Sequence, residues 1–80
     1  MKVRVFVYLK NGVLDPQGKA VEHALHSLGF EEASDVRISR VVDLHVKAND
    51  AAAAKEQGEK MARALLANEV IEDFHVEVSA

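Results

Sequence analysis

The sequence contains no cysteine and no tryptophan, and only one proline and four glycines in 80 residues. Without a thiol there is no disulfide staple, no thiolate metal site and no thiol nucleophile. Ten basic residues against thirteen acidic ones give a net charge of −3, so no surplus of cations exists to displace counterions from nucleic acid. No apolar run nears the ~20 residues that span a bilayer. The segment Met1-Lys2-Val3-Arg4-Val5 alternates like a strand rather than presenting the charged head and apolar stretch of a signal peptide. These absences predict a cytoplasmic protein with neither nucleic acid nor membrane among its partners.

Catalytic templates are equally scarce. Phosphate-cradling GxGxxG and GxxxxGK sequences are missing, and Ser27, Ser34, Ser39 and Ser79 lie outside any nucleophile signature. The acidic pairs Glu31-Glu32 and Glu72-Asp73 fall in turn-like stretches, where solvated carboxylates are the usual occupants. His23 and His26, three apart on one helix side with Glu22 nearby, could share an ion, but two ligands do not make a structural zinc site. His45 and His75 come from strands that need not meet either of them. All four read as surface histidines.

What the sequence has is periodicity, and at this length only one core. Halves would fall below the ~40 residues at which chains need outside help to fold, so residues 1–80 are expected to form a single domain. Such a chain buries only about 60% of its unfolded surface and leans on a staple or on association. With disulfides excluded, association is the remaining staple.

Val3, Val5, Val7 and Leu9 recur every second residue and predict a strand over about 2–10, with Arg4, Phe6, Tyr8 and Lys10 on its other face. Asn11-Gly12 ends it. Asp15-Pro16 reads as an N-cap followed by proline at the first helical position. The helix that follows carries Ala20, Val21, Ala24, Leu25 and Leu28 on one side and ends at Gly29, with Phe30 placed to touch Leu25. Val36 and Ile38, then Val42, Leu44 and Val46, alternate as two further strands that meet at Ser39-Arg40.

Asn49 or Asp50 caps a second helix with the stripe Ala51, Ala54, Gly58, Met61, Ala62 and Leu65, and with Glu56–Lys60 and Glu59–Arg63 as helical ion pairs. Asn68 suits a left-handed helix end, and Phe74, Val76 and Val78 alternate in a last strand. The order predicts an α+β, ferredoxin-like split βαβ fold (βαββαβ), an antiparallel sheet with two helices on one face. The uncovered face would present Arg4, Phe6, Tyr8, Val41, His45, Lys47 and His75, and Phe6, Tyr8, Val41 and His45 are read as its self-association residues.

Two other classes compete with a scaffold. Ferredoxin-like domains can act as regulatory modules that bind a metabolite at a subunit interface. RNA binding on Phe6 and Tyr8 lacks the basic, glycine-rich sequence that such a sheet surface uses.

The stretch Leu9-Lys10-Asn11-Gly12-Val13-Leu14-Asp15-Pro16-Gln17-Gly18 resembles the signature of the PurS family, the small subunit of phosphoribosylformylglycinamidine synthase. Leu28-Gly29-Phe30, Val36-Arg37, Leu65-Leu66-Ala67-Asn68 and Val70-Ile71-Glu72-Asp73-Phe74 continue the resemblance over nearly the whole chain. Ser39-Arg40 stands where the family usually has Gly-Lys, and Glu69 where it tends to have proline. The resemblance implies a homodimer or higher homo-oligomer that bridges a synthetase large subunit and a glutaminase in purine biosynthesis. It also implies no catalytic residue, no metal site and no cofactor on this chain, the ATP and magnesium of the complex belonging to the synthetase. Carried onto this sequence, the motif falls on Lys10, Gly12, Asp15, Pro16, Gln17 and Gly18, with Arg37 and Asn68, as expected partner-contact residues. Gly12, Asp15 and Pro16 have turn and capping chemistry as an equal reading.

Overall fold

The structure, a computed structural model, describes residues 1–79. Strand β1 (Lys2–Leu9) leads to helix α1 (Pro16–Ser27), strand β2 (Arg40–His45), helix α2 (Ala51–Met61) and strand β3 (Glu72–Ser79). The strands form one antiparallel sheet in the order β2-β1-β3. The α+β antiparallel class expected from the sequence is therefore what the chain adopts.

The alternation along β1 sets the core. Val3, Val5 and Val7 are fully buried, while Val5 stands opposite both Val42 and Val76. Helix α2 closes over them because its buried positions are small. Ala54, Gly58 and Ala62 recur every fourth residue along one face, and a Cβ on Gly58 would lie 2.9 Å from methyl carbons of both Val3 and Val76. Asp50 caps α2 by accepting the Ala53 N–H at 2.8 Å.

Past Met61 the helix widens into a π turn (Ala62–Leu66), closed by the Ala67 N–H donating to the Ala62 carbonyl at 2.9 Å. The wider turn shifts the stripe by one residue. Leu66, not the expected Leu65, packs against the core, and Leu65 is 84% exposed. The same rotation takes Arg63 away from Glu59 and sets it 5.5 Å over the Phe74 ring, with Glu69 at 3.8 Å, while the expected Glu56–Lys60 pair forms at 3.3 Å.

Arg40 seals this end of the core. Its guanidinium grips the Glu72 carboxylate at 2.7 and 3.1 Å and also donates to the Leu66 carbonyl, so the starts of β2 and β3 and the end of the π turn are joined. Arg40, helped by the Asn68 N–H, holds the Glu72 carboxyl below its ordinary pKa. Asn68 does not take the expected left-handed conformation; among the described residues only Asp35, Gly12 and Gly29 have positive φ. Asn68 instead makes a turn, its side chain accepting the Val70 N–H and its carbonyl the Ile71 and Glu72 N–H groups.

Two details of the expected arrangement change. Residues 36–39 form no strand and pair with none, so the sheet has three strands rather than four. Helix α2 packs on β1 and β3, whereas α1 makes no extensive contact with any strand and does not share that face. The capping of α1 is nonetheless as the sequence predicts. Asp15 is the N-cap, Gly29 has φ +97°, and the Phe30 and Gly29 N–H groups donate to Leu25 and His26 in a Schellman closure.

The consequence is an extended protomer. A compact chain of this length would have a radius of gyration of about 12 Å, but the observed value is 15.8 Å and the extents are 50 × 26 × 14 Å. An eight-residue strand of about 27 Å and a twelve-residue helix of about 18 Å, set end to end, account for the long axis.

Candidate partner-contact surfaces

The motif region builds the base of the projecting arm. Gly12, at φ +84°, turns the chain out of β1. The Lys10 N–H donates to Ile71, and the Lys10 carbonyl accepts from the Val13 N–H and from Arg37 Nη2, both at 3.2 Å. Asp15, only 5% exposed, divides its carboxylate between two chain segments. One oxygen accepts the Gly18 N–H at 2.8 Å and caps α1; the other accepts the Ile38 N–H at 2.7 Å and fixes the returning chain. The Ile38 and Gly18 donors, with the charge of Arg37, hold the Asp15 carboxyl below the ordinary range against the opposing effect of desolvation.

The return segment then runs back along α1. The Val36 carbonyl lies so close over Gly18 that any Cβ there would collide with it. Glu22 accepts the Val36 N–H at 3.4 Å, and His26 Nε2 donates to the Ala33 carbonyl at 2.7 Å. Asp15, Glu22 and His26, spaced seven and four apart, share one helix face and form a ladder of side-chain rungs to the strap. This is where the expected strand over 36–39 went: the Val36 and Ile38 N–H groups, which a neighbouring strand would take, are held by side chains of α1 and its cap.

Among the residues assigned to partner contact, the structure gathers Lys10, Gly12, Asp15, Gly18 and Arg37 at the arm's base and gives each an internal role. Pro16 and Gln17 are exposed on the first turn of α1, and Lys10 Nζ lies 4.0 Å from Asp73. Asn68 belongs to the turn before β3, one hydrogen-bonded loop from Lys10. Glu22 and His26, weighed in the sequence only around a shared ion, were not among the partner-contact candidates; the structure uses them to hold the return segment, and their spacing from Asp15 places them on its face. Arg40 and Glu72 pair across 32 positions, and no local pattern announces that.

The open face of the sheet carries the self-association candidates. Phe6 stands opposite Val41 on one side and His75 on the other, its ring centroid 6.0 Å from that of His75. Tyr8 and Val41 are 42% and 51% exposed, so three of the four candidates share one patch. His45 is apart, opposite Lys2 at the far end. Between them Arg4 and Asp43 form a two-pronged pair at 2.7 and 3.2 Å, which lowers the Asp43 pKa and raises that of Arg4. No group of three metal-ligating side chains occurs among the described residues, and no described helix is long and apolar enough to cross a membrane.

Fold and surfaces together define a small antiparallel α+β protein with one sheet face and one helix face uncovered. A family profile, PurS, described as phosphoribosylformylglycinamidine (FGAM) synthase, matches residues 2–80. The Bacillus subtilis protein called phosphoribosylformylglycinamidine synthase subunit PurS is 50% identical over 80 residues, covering 96% of this chain and 90% of that one. The crystal structure of Methanocaldococcus jannaschii PurS, a subunit of formylglycinamide ribonucleotide amidotransferase, superposes with TM-score 0.87 at 36% identity, over 98% of this chain and 94% of that one. A chain in the structure of PurLQS from Thermotoga maritima superposes with TM-score 0.85 at 28% identity, over 95% and 93% of the two chains. The chain belongs to the PurS family.

Proposed function

We propose that this chain is the small subunit of phosphoribosylformylglycinamidine synthase, a homo-oligomer that holds a glutaminase beside an ATP-dependent synthetase in the cytoplasm. The observation that carries this reading, beside family membership, is that the protomer leaves large apolar side chains in water. Val21, Leu28 and Phe30 on the arm, and Val41 and Tyr8 on the open sheet face, are between 40% and 73% exposed. A chain with a core of valines and alanines and such surfaces is finished by other chains.

In this role the chain contributes geometry. Ammonia freed into bulk water at neutral pH is mostly protonated and no longer nucleophilic, so the site that releases it from glutamine and the site that consumes it must be kept together. The ATP and magnesium of the reaction are bound by the synthetase, and this chain binds no cofactor of its own. The test is turnover by the reconstituted enzyme. Omitting this chain should abolish glutamine-dependent formation of formylglycinamidine ribonucleotide while leaving most of the ammonia-dependent rate. Equal use of glutamine in its absence would refute the bridging role.

A further inference from the structure

In the fold Asn11-Gly12 only turns the chain, but of the three asparagines Asn11 alone precedes a glycine. Both residues are exposed, and Gly12 holds φ +84° with no heavy atom within 4 Å of the place a Cβ would occupy. The turn around them is closed by the Val13 N–H on the Lys10 carbonyl at 3.2 Å, and Arg37 Nη2 donates to the same carbonyl. Among the described residues no hydrogen bond engages the Asn11 side chain or the Gly12 N–H. An electrophilic amide carbon and an unshielded backbone nitrogen therefore stand side by side in solvent.

Ring closure between a side-chain amide and the next backbone nitrogen is fast only when that nitrogen is free of a shielding Cβ and of a fixed hydrogen bond. The other places in the chain where it could occur fail this requirement. Gly18 follows Gln17, but its N–H is given to the Asp15 carboxylate at 2.8 Å and the Val36 carbonyl lies close over it. Asn49 is followed by Asp50, which carries a side chain and caps α2. Asn68 binds the Val70 N–H with its side-chain oxygen at 3.2 Å and is followed by Glu69.

We infer that Asn11 is a self-modification site, where the chain converts this residue to aspartate and to β-linked aspartate (isoaspartate) without an enzyme. The Gly12 nitrogen attacks Asn11 Cγ and the new N–C bond closes a five-membered imide. The Gly12 amide proton passes through water to the side-chain nitrogen, which leaves as ammonia. Water then opens the ring, its hydroxyl going to the acyl carbon and its proton to the ring nitrogen. Opening at Cγ gives aspartate; opening at the backbone carbonyl gives isoaspartate. The second product routes the main chain through Cβ and Cγ, which adds one atom between Lys10 and Val13, inside the turn closed by their hydrogen bond. Both products place a carboxylate at the base of the arm, in the crossing from β1 to α1.

The test uses the purified full chain, held at neutral pH and body temperature, sampled over weeks and digested for mass spectrometry. Asn11 should gain about 1 Da as its amide becomes a carboxylate, and should do so about tenfold faster than Asn49 or Asn68. The rate should rise with pH, because the attacking nitrogen must give up its proton. A protein-isoaspartate methyltransferase should methylate the aged chain and not the fresh one. Asn11→Gln, which must close a larger ring, and Gly12→Ala, which shields the nitrogen, should each slow the conversion about tenfold. An Asn11 that stays intact, or that converts no faster than the other two asparagines, overturns the inference. In the isoaspartyl fraction, separated on an ion exchanger by its added charge, the Val13 amide signal should move while that of Val5 stays; an unmoved Val13 signal would overturn the effect on the turn.

Discussion

The sheet with α2 and the arm formed by α1 and its strap are held together by different forces. In the first, Val3, Val5 and Val7 are sealed by Ala54, Gly58 and Ala62, and cohesion comes from apolar burial and close approach. In the second, three side chains, Asp15, Glu22 and His26, hold a length of backbone along the helix while the apolar face of that helix stays in water. A region fastened by hydrogen bonds can keep its shape without using its hydrophobic surface. That surface then remains available for another chain.

If this contrast is right, the two regions should fail separately. The largest effect is expected from Val5→Ala at the centre of the sheet. Loss of two methylene equivalents at about 0.8 kcal/mol each, plus a cavity, should destabilise by about 2–3 kcal/mol. In a domain of this size that lowers the melting temperature by more than about 10 °C. A smaller shift would mean that apolar burial is not what holds this half.

Gly58→Ala sharpens the point, because two effects oppose each other. Alanine gains about 1 kcal/mol of helix propensity over glycine, but its methyl would sit 2.9 Å from Val3 and Val76, and overpacking costs about 1–3 kcal/mol. The overlap should win by about 1 kcal/mol, a loss of several degrees on heating. A stabilised variant would show that α2 stands farther from the sheet.

The smallest and most local effect concerns the arm. Because the folded pKa of Asp15 is lowered, the hold of its carboxylate on Gly18 and Ile38 is complete above the ordinary aspartate value of about 3.9. That hold is lost as pH falls through the lowered value. The Gly18 and Ile38 amide signals should therefore shift with a midpoint below about 3.9, while the Val5 and Val76 amides keep their positions. Midpoints at or above the ordinary value would remove the carboxylate from its role as a fastening.

Much of this was readable in the residues. The valine alternation of β1, the Asp15-Pro16 start, the Gly29-Phe30 stop and the Asp50 cap are local patterns, and each is realised as local chemistry requires. The open-face pairing of Phe6 with Val41 follows from alternation once β1 and β2 are neighbours. The position of α1 did not follow. Its amphipathic stripe implies a partner surface without saying on which chain that surface lies. The strap was misplaced for a related reason: Val36 and Ile38 alternate as a strand would, and only a carboxylate 23 residues earlier in the chain decides that a helix rather than a strand receives its hydrogen bonds. The π turn, which exchanges Leu65 for Leu66, has no signature in this stretch of alanines and leucines.

The arm joins the sheet through two chain crossings, one over 10–14 and one at Ser39, and the Arg37 contact to the Lys10 carbonyl ties them like a rung. A lever on a single tether can spin about its own axis, but one on two parallel tethers can only flap. Whatever grips this helix is thus offered one azimuth.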